Sequence, residues 1–171
     1  MGKLLIKNDI LSIVQMDETM YYDVHKNSLD ENNRRFVPDE VFETLEDATE
    51  VVNFIIERYQ SEDGPFIYAV IRNEDNANIG YVQLVPIEEG WEVGYHIAQK
   101  YCGNGYATRA LSLFTEYVKQ HTNIRKLYGI ALALNKASRR VLEKNGFELI
   151  FEGTGLYQGK KRKIIKTIKN I

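Results

Sequence analysis

The stretch Ile97-Ala98-Gln99-Lys100-Tyr101-Cys102-Gly103-Asn104-Gly105-Tyr106-Ala107-Thr108 sets the tightest limit on how this chain can fold. Before it, Trp91, Val93, Tyr95 and Ile97 alternate with Glu92, Gly94, His96 and Ala98, the pattern of a strand with two distinct faces. After it, Ala107, Ala110, Leu111, Phe114 and Val118 recur at helical spacing and predict a helix to about 121. A strand therefore runs into a helix through a turn with two glycines. Glycine lets backbone N–H groups approach a ligand with no side chain in the way. The first N–H groups of a helix have no internal partner and carry the positive end of its dipole, so together they suit an anion such as a pyrophosphate. Alone, the glycine pair serves equally well as a tight turn that holds nothing.

Two common phosphate loops fit the stretch badly. A P-loop needs Lys then Ser or Thr directly after its last glycine, where this chain has Tyr106-Ala107. A dinucleotide fingerprint needs a third Gly or Ala at 108, which is Thr108, and belongs near the first strand of a parallel sheet. Here the turn lies past mid-chain.

The remaining segments alternate in type. Residues 3–7 and 11–15 are short and apolar, one strand or a hairpin; residues 17–27 read as a weak helix. Asp30-Glu31-Asn32-Asn33-Arg34-Arg35 reads as a polar loop. Val41, Leu45, Ala48, Val52, Ile55 and Tyr59 recur at three and four, a helical face. Thr44 with Asp47 is a capping-box pattern that starts the main helix there, and Gly64-Pro65 stops it. Strands are expected at 66–72, 78–86 and 90–98, at lengths that suit an antiparallel meander. Residues 126–134 are β-rich, 136–145 form a short helix stopped by Asn145-Gly146, and 147–151 and 161–168 are strands. The expected fold class is mixed α/β (α+β), a sheet covered by helices, in one domain spanning 1–171.

Composition bounds the function classes. With 44% hydrophobic and 27% charged residues, 171 residues are enough to bury a core of roughly two thirds of the unfolded surface. Lys+Arg 22 against Asp+Glu 24 gives a formal charge of -2, so no bulk positive field recruits nucleic acid or an anionic membrane. One cysteine excludes an internal disulfide and a multi-cysteine zinc site. His25, His96 and His121 lack metal-ligand spacing, so no metal is expected. Met1 to Asp9 lacks the apolar stretch of a secretory signal, and Gly2 is followed at position six by Ile6 rather than Ser or Thr, which argues against myristoylation. A cytoplasmic location is the expectation.

Four pieces in order, Glu92-Val93-Gly94-Tyr95, Gly103-Asn104-Gly105-Tyr106-Ala107-Thr108, Asn135-Lys136-Ala137-Ser138 and Glu143-Lys144-Asn145-Gly146-Phe147, resemble the GNAT superfamily of acetyl-CoA-dependent N-acetyltransferases. The match runs from about Phe66 to Gly153, and Gly-Tyr-Ala-Thr with Lys-Asn-Gly-Phe looks most like the ribosomal-protein-alanine N-acetyltransferase branch. The resemblance implies a mostly antiparallel sheet that splays in its middle, with the pantetheine arm of acetyl-CoA in the splay. It implies acetyl-CoA as co-substrate, a primary amine as acceptor (a protein N-terminus or a small-molecule amine), direct transfer through a tetrahedral intermediate, and a monomer or homodimer. The chain departs from the family at Lys100, where Gln or Arg is usual, and at Leu142, where many members carry an acidic Tyr.

On that resemblance the contacts to the cofactor fall to Ile97, Ala98, Cys102, Gly103, Asn104, Gly105, Tyr106, Ala107, Asn135 and Ser138. Glu92 is the base for the amine, the Ile97 N–H is the oxyanion donor, and Ser138 protonates the departing thiolate. Each has a plainer reading. Glu92 can be a solvated strand residue, Ser138 a helix-start residue, and Asn135 the opening of a helix. Cys102 has no His partner and is read as a turn residue rather than a nucleophile. Tyr157 is expected at the acceptor mouth, near the 30–35 loop. Lys160-Lys161-Arg162-Lys163 reads as a Lys-guarded edge strand. The rival to an enzyme is a non-catalytic acyl-CoA-binding module of the same fold.

Overall fold

The computed structural model describes residues 2–171. An eight-stranded sheet runs in the order β1-β2-β3-β4-β5-β6-β8-β7. The strands are β1 (Leu4–Lys7), β2 (Leu11–Gln15), β3 (Phe66–Arg72), β4 (Ala77–Ile87), β5 (Gly90–Ile97), β6 (Lys126–Leu132), β7 (Glu148–Tyr157) and β8 (Lys160–Asn170). The helices are α1 (Tyr21–Ser28), α2 (Glu31–Phe36), α3 (Leu45–Arg58), α4 (Tyr106–His121) and α5 (Lys136–Lys144). The expected mixed, mostly antiparallel α/β fold is what forms.

Both faces of the sheet are covered, and this explains the apolar runs. In β3, Val70 packs into one core with Phe114, Leu111 and Ala110 of α4. Its neighbours Ala69 and Ile71 point the other way, into a second core with Val52 and Ile55 of α3 and Met20. A strand buried on both faces reads as a continuous run rather than an alternation. The capping box starts α3 as expected: Asp47 N–H donates to Thr44 Oγ1 at 3.1 Å, and Thr44 N–H donates to Asp47 Oδ2 at 2.9 Å. Val41 lies before that helix, not in it. Gly146 adopts φ +76, and Phe147 N–H donates to Leu142 C=O, which closes α5 as the Asn-Gly pair predicts.

The sheet has one parallel junction, β5 with β6, and it is bridged at a single register position, Glu92 opposite Tyr128. Beyond it the strands part toward Ile97 and Leu132. On its other side β5 pairs continuously with β4 from Gly90 to Ile97. The splay expected in mid-sheet is therefore present, and it opens at the level of Glu92.

Two expectations are corrected. The 30–35 segment is not a loop: Asp30 caps α2, accepting the Asn33 N–H at 2.8 Å, and the buried Asn33 amide donates to the carbonyls of Ser28 and Glu40. Nor is the tail an edge strand. β8 sits between β6 and β7, and β7 is the edge. The partner β6 ends at Leu132, opposite Ile164, and beyond it the Lys163 C=O accepts the Ala133 N–H, so Lys160 to Arg162 pair with β7 alone. The basic run lies on the projecting part of a hairpin.

Candidate active site

The turn after β5 has the conformation its glycines suggest. Gly103 and Gly105 have φ +83 and +74, in the left-handed region. A Cβ on Gly103 would meet nothing within 4 Å, and one on Gly105 only Arg109 Nε at 3.8 Å. These glycines are required by backbone angle, and the space over them is open. Gly105 is the N-cap of α4 with no side-chain cap, and its C=O accepts from Arg109 N–H. The N–H groups of Tyr106, Ala107 and Thr108 have no acceptor within the helix. Asn104 folds its amide back onto the carbonyls of Tyr101 and Cys102, at 3.1 and 3.3 Å, and so braces the turn.

A groove of about 370 Å³ follows the splay and is lined by Ile97, Cys102, Ala107, Asn135 and Ser138 among others. The expected contacts at those five positions thus converge. Gly103, Asn104 and Gly105 form the turn beyond the groove's end, Ala98 borders a separate hollow with Asp30 and Lys100, and the Tyr106 ring turns toward Arg72. Ala98 N–H donates to Ile79 C=O at 2.8 Å. Strand alternation therefore directs the Ile97 N–H away from β4, into the splay. A groove with unpaired strand amides on one wall and free helix N–H groups at its end fits an extended thioester with a diphosphate at one end.

A second cleft, of about 340 Å³, lies on the other side of the splay and holds Glu92, Glu40, Gln83, Tyr157 and Leu142. Tyr95, Asn135 and Ser138 line both cavities and form the passage between them. Glu92 faces away from the core residue Val93, as the alternation predicts, and it is not a solvated strand carboxylate. Burial pushes its carboxyl up to about 7; the nearby Glu40 charge adds to the rise and Lys166 opposes it. Glu40 is likewise pushed up to about 7, chiefly by burial, with His96 and Gln83 pulling it down.

Asn135 caps α5 by accepting the Ser138 N–H at 3.1 Å. This leaves the Ser138 hydroxyl for another partner, Tyr95 Oη at 2.8 Å, which also reaches the Ser138 C=O at 3.0 Å. Burial raises the Tyr95 phenol, so it stays protonated at neutral pH. Leu142, where a family tyrosine is usual, is buried against Gly129 and offers no hydroxyl. Cys102 Sγ lies 3.4 Å from Ile97 C=O, and burial raises its thiol, the reverse of an activated nucleophile. Tyr157 does line the Glu92 cleft, and its hydroxyl donates to Phe36 C=O at 3.0 Å, tying the β7–β8 hairpin to α2.

Sequence reasoning missed Glu40, Tyr95, Gln83 and Arg109. Tyr95 stood in view, since the alternation placed it two residues from Val93. Gln83 lies over Gly94, where a Cβ would come within 2.5 Å of its Nε2. Glu40 ends a short 3₁₀ turn, Pro38–Glu40, in a stretch without periodicity, and no local signal marks it.

Comparison with known proteins bears on this site. The chain matches the acetyltransferase (GNAT) domain family over residues 11–148. It is 25% identical over 112 residues to the uncharacterized N-acetyltransferase YoaA of Bacillus subtilis, a match that covers 64% of this chain and 63% of that protein. Among solved structures it resembles a GNAT-family acetyltransferase from Bacillus anthracis, with TM-score 0.81, 21% identity and 98% of each chain covered. It also resembles RimL, a ribosomal alpha-N-protein acetyltransferase in complex with coenzyme A, with TM-score 0.84, 18% identity, and 99% of this chain and 98% of that one covered.

Proposed function

The chain belongs to the GNAT acetyltransferase family, and from that premise we propose that it transfers acetyl from acetyl-CoA directly to a primary amine. The observation that carries this reading is the raised Glu92 carboxyl in a cleft that meets the splay groove at Tyr95, Asn135 and Ser138. The thioester lies along the groove, with its diphosphate end at the N–H groups after Gly103-Asn104-Gly105, where the exposed Arg109 adds a cation.

An alkyl amine is mostly protonated at neutral pH and must lose a proton to attack. A carboxyl that titrates near 7 is matched to taking it, so Glu92 is the base, directly or through a water. The nitrogen lone pair forms the new C–N bond while the carbonyl π pair moves onto oxygen. The Ile97 N–H, held in the splay by the β4–β5 pairing, faces that oxygen. Collapse of the tetrahedral intermediate breaks the C–S bond, and the sulfur leaves with the bonding pair. The Ser138 hydroxyl, hydrogen-bonded to the protonated Tyr95 hydroxyl, passes its proton to that sulfur, and the second proton that the nitrogen sheds as the amide forms returns to Ser138, so that both groups end as they began.

The test is thiol release from acetyl-CoA across a panel of primary amines. Amine-dependent release with a matching acetylated product supports the reading. Binding of CoA with no turnover on any amine supports the non-catalytic acyl-CoA module, which the loss of a tyrosine at Leu142 favours.

A further inference from the structure

The Glu92 cleft does not end at Glu40. A cavity of about 250 Å³ continues behind it, between the sheet and helices α1 and α3. The two spaces share Glu40, Ile67, Tyr81 and Gln83 as walls. The far part is apolar, built from Met16, Val24, Val51, Phe54 and Ile55. Its polar lining is mostly spent within the protein: Asn27 donates to Asn78 C=O at 2.9 Å, and the Asn33 amide donates to Ser28 and Glu40 carbonyls. Three buried polar atoms on this lining have no hydrogen-bond partner: Glu40 Oε2, Asn33 Oδ1 and His96 Nε2, the last 3.4 Å from Asp30 Oδ2. The amide oxygen is an acceptor, and the carboxyl oxygen becomes one as Glu40 loses its proton. An unpaired buried acceptor costs about 1–3 kcal/mol, and a ligand that donates to it recovers that cost.

We propose that the acceptor is a primary amine on an apolar body, of the arylalkyl or branched-alkyl class, whose hydrocarbon fills the cavity by Val24, Val51 and Ile55 while its ammonium is held at Glu40 on the way to Glu92. This rests on the acetyltransferase reading and names its substrate class. An apolar cavity of about 150 Å³ already takes a benzene ring, so this one holds a ring with a short alkyl arm. A polyamine reaching the far end would place its second cation against Val51, Phe54 and Ile55, away from Asp39 and Asn33 Oδ1, the acceptors nearer the mouth of this lining. A peptide N-terminus would bury amide groups in the same apolar end. Glu40 acts here as a positioning residue: it holds the amine, and the raised carboxyl pair accepts the charge that the amine brings.

The experiment compares phenethylamine, methylamine, spermidine and short peptides beginning with Ser or Ala as acceptors. Phenethylamine is expected to give a kcat/KM at least about tenfold above the others. Val51→Trp, which fills the cavity, is expected to raise the phenethylamine KM about tenfold or more and to shift preference toward methylamine. Val24→Phe does the same from the opposite wall, should the first variant fail to fold. Glu40→Gln is expected to raise the amine KM roughly tenfold with a smaller change in kcat. The Kd for CoA stays the same in all three, which shows that the groove is intact. A preference for spermidine or the peptides, or phenethylamine turnover indifferent to both cavity variants, overturns the proposal. If no amine is acetylated while CoA binds, the acetyltransferase reading fails. Phenethylamine binding by calorimetry then decides the cavity separately: binding lost in Val51→Trp supports it, and no binding overturns it.

Discussion

In the proposed reaction, Glu92 is the base and Glu40 the group that holds the amine. Both line one cleft, burial pushes each carboxyl up to about 7, and the Glu40 charge adds to the rise at Glu92. The rate on a saturated acceptor should therefore rise with pH through about 7 as Glu92 loses its proton. Glu92→Gln is expected to lower kcat about 10²-fold and to flatten that limb, with little change in the Kd for CoA. A variant with the wild-type pH profile would remove Glu92 from the mechanism. Tyr95 and Ser138 are coupled by a 2.8 Å hydrogen bond, so their substitutions should not add. Tyr95→Phe, Ser138→Ala and the double variant are expected to fall to similar rates. Additive losses would show that the two hydroxyls act independently. Strand alternation made the face of Glu92 legible, while the roles of Glu92 and Ser138 were legible only through the resemblance of their segments to the GNAT family, since spacing alone makes Ser138 a helix-start residue. Glu40 was not legible, since its burial comes from β4, β5 and the β7–β8 hairpin closing over a turn of no regular pattern.

At the scale of elements, the turn and the helix after it are the parts that sequence spoke for most clearly. The α4 bounds coincide with its apolar stripe, and Gly105 marks its start through a φ of +74. Gly105→Ala must hold a Cβ in that region at a cost of about 1–2 kcal/mol. It is expected to weaken CoA binding by roughly tenfold through the displaced N–H groups, as calorimetry would show. Unchanged affinity would mean that the turn does not hold the diphosphate. Two elements were misread for identifiable reasons. α2 carries no apolar period and is held by polar bonds instead, with Asp30 also accepting the Gln99 N–H at 2.8 Å and lying 3.4 Å from His96. Burial alone would raise the Asp30 carboxyl, yet His96 and the Asn33 and Gln99 N–H groups hold it below its usual value. β7 runs to Tyr157, past the 151 expected, through Gly153 and Gly155, residues that carry no strand pattern. A Cβ on Gly155 would come within 2.6 Å of Ile164 Cδ1, so a larger residue there would have to displace that side chain, and a bulge between Leu149 and Phe151 breaks the alternation besides.

For the molecule as a whole, the fold spends stability on its site. Glu40 and Glu92 keep their protons to about pH 7 when folded, against an ordinary 4.5. The folded state binds more protons between those values, so stability falls as pH rises from 4.5 through 7, and the loss is complete above it. Glu40→Gln removes one of these groups. Its Tm relative to wild type should therefore be more favourable at about pH 8.5 than at about pH 4.5. A difference that does not vary with pH would contradict the burial of that carboxyl. The chain order of the elements and the cover of helices on the sheet followed from the alternation of segment types, but the place of β8 between β6 and β7 did not. The one parallel junction did not follow from it, because a single bridge between Glu92 and Tyr128 leaves no trace in either strand's pattern. That junction nevertheless creates the groove on which the account depends. Titration of coenzyme A into the folded chain by calorimetry tests it most directly. The account predicts saturable binding with a Kd in the range of about 1 μM to 1 mM, weakened in Gly105→Ala and unchanged in Glu92→Gln. No heat at millimolar coenzyme, or binding indifferent to the turn, would contradict it.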